Sequence, residues 1–237
     1  MKRRWHLVAR GGGLGLSPLL ITIACTDPDL HDDHRAPVEG ICGPESGPAD
    51  PFADCVESFD PAPEVSFGHD AMPQIVLGAP VGGGIDMGST DVASLGCGGS
   101  ITLWFDDPWP TDGPGPDLLV FENAFEAGSI TFIEPAQVLV SEDGHDWHAF
   151  PCEPDGGPTP PDGCAGLRPV LATTPEPALD PTAAGGDAFD LAELGLSEIR
   201  YLRLVDRTAE HYDSDTWCLG PTGGFDLDAV AVLGVAP

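Results

Sequence analysis

Residues 138–147 read Val138-Leu139-Val140-Ser141-Glu142-Asp143-Gly144-His145-Asp146-Trp147. A strand-length apolar run ends in Asp143-Gly144, a pair that supplies the positive-φ turn of a hairpin, and Trp147 follows closely enough to fold back onto the core. The same pattern recurs in both directions. Residues 100–105 (SITLWF), 118–121 (LLVF), 136–140 (AQVLV), 200–205 (RYLRLV) and 228–233 (DAVAVL) are all strand-length and are separated by Gly, Pro and Asp. The one helical candidate of note, residues 191–196, is too short to cover a sheet. Strands without crossover helices imply an all-β domain, an antiparallel β-sandwich or barrel with long Gly/Pro/Asp loops.

The amino-terminal end follows a different logic. MKRRWHLVAR carries four of the nine basic side chains, and residues 14–24, LGLSPLLITIA, form an uncharged apolar run. As a helix that run spans only about 16 Å, half a hydrocarbon core, so residues 1–24 read as a signal peptide rather than a membrane span. Thr22-Ile23-Ala24-Cys25 resembles a lipobox, in which a small residue precedes a cysteine that becomes thioether-linked to diacylglycerol. Ala24 fits that pattern, whereas Thr22 stands where Leu is usual. The resemblance implies lipidation of Cys25, a membrane partner through the lipid, and residence in a bacterial cell envelope, outside the cytoplasm. The alternative is ordinary cleavage after Ala24. Arg3-Arg4 followed by Leu7 weakly resembles a twin-arginine signal.

Export accounts for the cysteines. Setting Cys25 aside leaves Cys42, Cys55, Cys97, Cys152, Cys164 and Cys218, an even number that reads as disulfides in an oxidising compartment. Six cysteines allow 15 connectivities. Cys42 with Cys55 and Cys152 with Cys164 would each close a short Pro/Gly-rich loop, which leaves Cys97 with Cys218. Zinc is a poor alternative, because no CxxC occurs and the histidines do not bracket cysteine pairs.

The formal net charge is −30, and loss of the signal leaves five basic residues against 39 acidic ones. Such a surface repels nucleic acid and anionic lipid and attracts cations. Residues 25–63 are poor in apolar side chains and rich in Pro and Asp, and read as a lipid-anchored tether. Within it, His31-Asp32-Asp33-His34 is a solvated cluster rather than a metal site. Residues 64–237 are then the single β domain.

Two stretches carry a family resemblance. Residues 138–147 resemble the strand, S-x-D-G turn and following Trp of discoidin-like, galactose-binding-like jelly rolls, and Ile199-Arg200-Tyr201-Leu202-Arg203-Leu204-Val205 resembles their later arginine-bearing strand. Ordered motifs over about 170 residues extend the likeness. They include Phe67-Gly68-His69-Asp70, Gly88-Ser89-Thr90-Asp91-Val92, Val120-Phe121-Glu122-Asn123-Ala124-Phe125, Gly185-Gly186-Asp187-Ala188-Phe189-Asp190-Leu191 and Gly224-Phe225-Asp226-Leu227-Asp228-Ala229-Val230. Together these resemble a group of bacterial secreted and cell-surface proteins, many of them lipoproteins. The resemblance implies location and a jelly-roll fold, and almost no biochemistry.

Chemistry is sought in carboxylates and aromatics. Asp226 and Asp228 open the last strand, Asp206 ends the arginine-bearing strand, and Glu122 with Asn123 ends another. Convergence of Glu122, Asp206, Asp226 and Asp228 would suit one structural calcium ion, which takes six to eight oxygens at about 2.3–2.6 Å. Asp86, Asp117, Asp187, Asp190, Asp213 and Asp215 are second-choice ligands. The bland reading is that Asp226 and Asp228 cap a turn and face water. Trp109, inside Asp106-Asp107-Pro108-Trp109-Pro110, is the leading exposed platform for a sugar or a partner protein, with Tyr212 and Trp217 next. Trp104 and Trp147 are expected in the core.

Enzymatic signals are weak. Glu122 with Asp117 or Asp228 offers a glycosidase acid–base pair only in the sense that any acidic protein does. No GxSxG elbow occurs, Gly82-Gly83-Gly84 lacks the spacing of a phosphate loop, and His145 and His148 flank a turn with no partnered nucleophile. The expected function is a non-catalytic binding or adhesion module. The alternatives are a purely structural envelope lipoprotein and, behind it, a hydrolase.

Overall fold

The computed structural model describes Cys42 and residues 50–154 and 161–234, all of which fall in one unit of the chain. The signal peptide, Cys25, the cluster at 31–34 and most of the tether lie outside the described residues, as does the middle of the loop between Cys152 and Cys164. Among the described residues no helix is long and apolar enough to cross a membrane.

Twelve strands occur among them: β1 (Cys55–Asp60), β2 (Ala93–Ser94), β3 (Ser100–Trp104), β4 (Leu118–Phe121), β5 (Phe125–Ala127), β6 (Ile130–Phe132), β7 (Ala136–Ser141), β8 (His148–Ala149), β9 (Asp187–Phe189), β10 (Tyr201–Asp206), β11 (Asp226–Leu227) and β12 (Ala229–Val232). Every strand pairing is antiparallel. One sheet has the order β1-β3-β10-β7-β8, a second β12-β4-β9, and two ribbons are β11-β2 and β5-β6. The described residues are mostly β with few short helices, consistent with the all-β expectation, and the five runs singled out by sequence are β3, β4, β7, β10 and β12. The expected helix at 191–196 is a single 3-10 turn, Leu191–Glu193.

Register explains the core. Leu202 and Leu204 of β10 stand opposite Leu103 and Ile101 of β3 on one side and Val140 and Val138 of β7 on the other. All six are fully buried. They share one apolar cluster with Leu118, Val120, Val230 and Val232 of the second sheet. The alternate residues of that sheet, Leu119, Phe121, Ala229 and Ala231, face a second cluster with Phe52, Val170, Ala172 and Ala184. Apolar neighbours on both faces are why β4 reads as an unbroken run instead of alternating.

Residues 52–60 depart from the tether expected there. Phe52 is 2 % exposed, and β1 is the edge partner of β3. Its apolar residues are few and interrupted by Asp, Glu and Ser, so composition hides a strand that Phe52, Val56 and Phe59 secure by packing. All three expected disulfides are formed: Cys42–Cys55, Cys97–Cys218 and Cys152–Cys164.

The hairpin at 138–147 forms as β7–β8, with Gly144 at φ 75°. Asp143 Oδ1 accepts from the His145 and Asp146 N–H groups at 2.8 and 2.9 Å, the local satisfaction that favours Asp in such turns. Trp147 does fold back, but onto the outer face rather than the core. There Arg203 lies 4.1 Å over its ring and donates to Thr102 Oγ1 at 2.9 Å. Trp104 is buried, as expected.

Candidate binding site

Where β4 ends, the chain turns out of its sheet and places Glu122 and Asn123 beside the β11–β2 ribbon. Asp226 of β11 is paired with Ser94 of β2. Its carboxylate accepts from the Ser94 hydroxyl and, at 3.2 Å, from the Asn123 amide. The Asp226 N–H donates to Glu122 Oε1 at 3.4 Å. Gly224, just upstream, has φ 72° and packs its Cα against Gly96, so that a Cβ there would stand 2.6 Å from the Gly96 carbonyl carbon. Glycine is therefore required on steric and conformational grounds.

Glu122 and Asp226 form the floor of a cavity of about 410 Å³. Glu134, which follows β6, joins them. The walls are aromatic. Phe125 and Phe132 are a cross-strand pair of the β5–β6 hairpin, stacked with centroids 4.9 Å apart. Trp217 meets Phe132 edge-on at 5.6 Å and Tyr212 at 5.2 Å. Tyr212 is fixed by its hydroxyl, which donates to the Ile133 carbonyl at 2.9 Å. Trp217 is 40 % exposed, and the neighbouring Cys218 is tied to Cys97. The wall is thus braced by a disulfide and by a hydroxyl bond.

The floor is acidic and buried. Glu122 is 2 % exposed, and its Oε2 has no hydrogen-bond partner among the described residues. Among the described residues no basic side chain lines the cavity. Burial, then the charges of Glu134 and Asp226, hold the Glu122 carboxyl well above the usual range. Glu134 is pushed up to about 9 by burial and by Asp226 and Asp206, with the Gly224 N–H opposing. Asp226 is raised to about 6 by burial, against its bonds from Ser94 and Asn123.

The four carboxylates expected to share an ion divide. Glu122 and Asp226 line the cavity, whereas Asp206 and Asp228 do not. Asp206 Oδ1 accepts from the Gly98 and Thr208 N–H groups at 3.0 and 3.1 Å. Its Oδ2 accepts from the Thr208 hydroxyl and the Phe225 N–H, both at 2.7 Å. A carboxylate offers about four lone-pair positions, so Asp206 is filled by the protein itself. Asp228 turns the other way and accepts the Val81 N–H at 3.0 Å on Oδ1; burial raises it to about 7. Glu134 was not among the expected ligands, because nothing in Phe132-Ile133-Glu134-Pro135 marks it as more than a loop carboxylate.

Among the described residues, the group whose carboxylate oxygens lie within 4.8 Å of one another is Asp112, Asp117 and Asp190. Two of these were second-choice ligands. Asp117 accepts from the Gly113 and Leu191 N–H groups at 2.9 and 2.8 Å, and Asp190 caps the turn at Ala192. Asp187 accepts the Leu167 N–H at 2.8 Å, while Asp86, Asp213 and Asp215 are exposed. The expected glycosidase partners of Glu122, Asp117 and Asp228, do not share its cavity.

Of the aromatic candidates, Tyr212 and Trp217 line the cavity and Trp109 does not. Arg200 covers the Trp109 ring at 3.7 Å, and the indole N–H donates to Glu198 at 3.0 Å. One face of Trp109 is therefore already used for cation–π packing. The chain matches no family model and no curated protein.

Proposed function

We propose that this chain is an exported, lipid-anchored cell-surface protein whose β domain is a non-catalytic binding module, with the cavity over Glu122 and Asp226 as its ligand site. The observation that carries this reading is the pairing of an aromatic wall, Phe125, Phe132, Tyr212 and Trp217, with a buried carboxylate that has an unused oxygen. Concave, mostly apolar sites with a few polar groups are what small ligands and sugar rings require. Three disulfides suit an oxidising compartment, and the lipobox-like segment at Cys25 supports the anchor. The facing apolar surfaces of the two larger sheets support a sandwich of the jelly-roll, galactose-binding-like kind. Carbohydrate is the ligand class that the stacked aromatic wall favours.

The test is a glycan array and polysaccharide pull-down with the full chain, comparing Trp217→Ala and Trp109→Ala. Loss of every interaction in Trp217→Ala and retention in Trp109→Ala is the expected result. The reverse result moves the platform to Trp109 and overturns the cavity reading.

Calcium is a separate, structural reading, and the oxygens of Asp112, Asp117 and Asp190 favour that position over the expected quartet. Oxygens bound to one calcium are at most about 5 Å apart, twice the ligand distance. Calorimetric titration of the chelated protein tests it: no calcium uptake and no change in melting temperature would remove it.

A further inference from the structure

We propose that the cavity takes a primary alkylammonium group, with the cation seated against Glu122 and its carbon stem against Phe125, Phe132 and Trp217. The proposal rests on the cavity being the ligand site and names the chemistry of what enters it.

The floor holds one buried polar atom that the described residues leave without a partner. Glu122 Oε2 is buried without a hydrogen-bond partner among the described residues, and a buried acceptor left unpaired is costly. Among the described residues the lining has no basic side chain, and the chain has no lysine after Lys2. Three of the described arginines are engaged with other carboxylates, in Arg168–Asp187, Arg200–Asp106 and Arg207–Glu210.

A bare metal ion fits less well. The three floor carboxylates are not a group whose oxygens lie within 4.8 Å of one another, a condition that Asp112, Asp117 and Asp190 meet. A cavity of about 410 Å³ is also far larger than one ion. Aromatic walls offer a hard cation no oxygen ligands, but they attract an ammonium group through the ring quadrupole and cover an alkyl stem. A primary ammonium brings three N–H donors and can supply the one that Glu122 Oε2 lacks, whereas a quaternary ammonium has none. Its source is either a lysine side chain of a partner or an amino sugar, and both present the same group.

Isothermal titration of the full chain with n-butylammonium chloride tests the proposal, with 1-butanol, tetramethylammonium chloride and calcium chloride as controls. Saturable binding of n-butylammonium is expected, at least tenfold tighter than 1-butanol and tetramethylammonium. Glu122→Gln is expected to weaken it at least tenfold, and so is Trp217→Ala, an exposed position whose change leaves the core intact. Equal binding of 1-butanol, or binding of calcium alone at this site, overturns the ammonium assignment while leaving the cavity as the ligand site. Ammonium binding that neither variant alters overturns both. Nα-acetyl-lysine methylamide and D-glucosamine, with N-acetyl-D-glucosamine as the neutral partner of the latter, then separate the two sources. The carrier that binds more tightly than n-butylammonium identifies the source, and failure of both to bind contradicts the proposal.

Discussion

The backbone N–H of Asp226 donates to Glu122 Oε1 at 3.4 Å, joining two acidic residues that lie 104 positions apart in the chain. That contact brings the end of β4 and the start of β11 to one cavity floor. It also gathers carboxylates with no described cation among them. The consequences are measurable in stability as well as in binding.

Glu122→Gln should stabilise the ligand-free protein at neutral pH. Burial and two neighbouring carboxylates hold the Glu122 carboxyl high, so the folded state keeps a proton that the unfolded state has released. Stability from this group is present below the unfolded value near 4.5 and is lost as pH rises. An amide of the same shape carries no such penalty. Thermal melts should show a gain of about 1–3 kcal/mol at pH 8 and little change at pH 4.

Other buried carboxylates should follow the same sign. Asp54, Asp187 and Asp226 are raised to about 6, Asp228 to about 7 and Glu134 to about 9, burial being the first cause in each. Each binds its proton more tightly when folded. Stability should therefore be greatest near pH 4 and fall through pH 6–9, the reverse of ordinary acid denaturation. Asp228→Asn, which keeps an acceptor for the Val81 N–H, should flatten part of that fall, by about 2–4 kcal/mol at pH 8. Chemical denaturation across pH 4–9 measures both.

Asp206→Ala should be severely destabilising, by about 3–5 kcal/mol, because four donors lose their acceptor in a buried setting. Asp206→Asn should cost less, since one oxygen remains. Calcium should rescue neither variant in a melting assay, because the carboxylate is already filled by protein donors.

The disulfides should rank by loop length. Cys97–Cys218 spans 121 residues and Cys152–Cys164 spans 12. In the chain-entropy model these closures contribute about 5 and about 3 kcal/mol. Cys97→Ser with Cys218→Ser should therefore lower the melting temperature more than Cys152→Ser with Cys164→Ser. It should also loosen Trp217, seen as a red shift and stronger quenching of tryptophan emission relative to a Trp217→Phe control.

Much of the fold was legible because period and punctuation are local. Five strands, the Asp143-Gly144 turn and the disulfide pairs followed from apolar runs, turn chemistry and loop length. β1 was not legible, since Phe52, Val56 and Phe59 are spaced among acidic residues and reveal themselves only by packing. The ribbons β2 and β11 are two residues each, too short to carry a period. At the site, Glu122, Asp226, Tyr212 and Trp217 were singled out and do meet. Asp206 and Asp228 group with them because Asp206 ends a strand and Asp228 opens one, and such positions do not reveal which way a carboxylate turns or which N–H groups claim it. Glu134 and the Phe125–Phe132 pair entered only through the hairpin that folds over the floor. Trp109 looked exposed by its Pro-rich setting, but Arg200, distant in sequence, covers it.

The most direct measurement compares binding of the full chain with binding of Trp217→Ala, Glu122→Gln and Trp109→Ala on one glycan panel containing neutral and amino sugars. If the cavity is the ligand site, Trp217→Ala and Glu122→Gln lose at least tenfold in affinity and Trp109→Ala binds as wild type does. Loss in Trp109→Ala with full retention in the other two would contradict it.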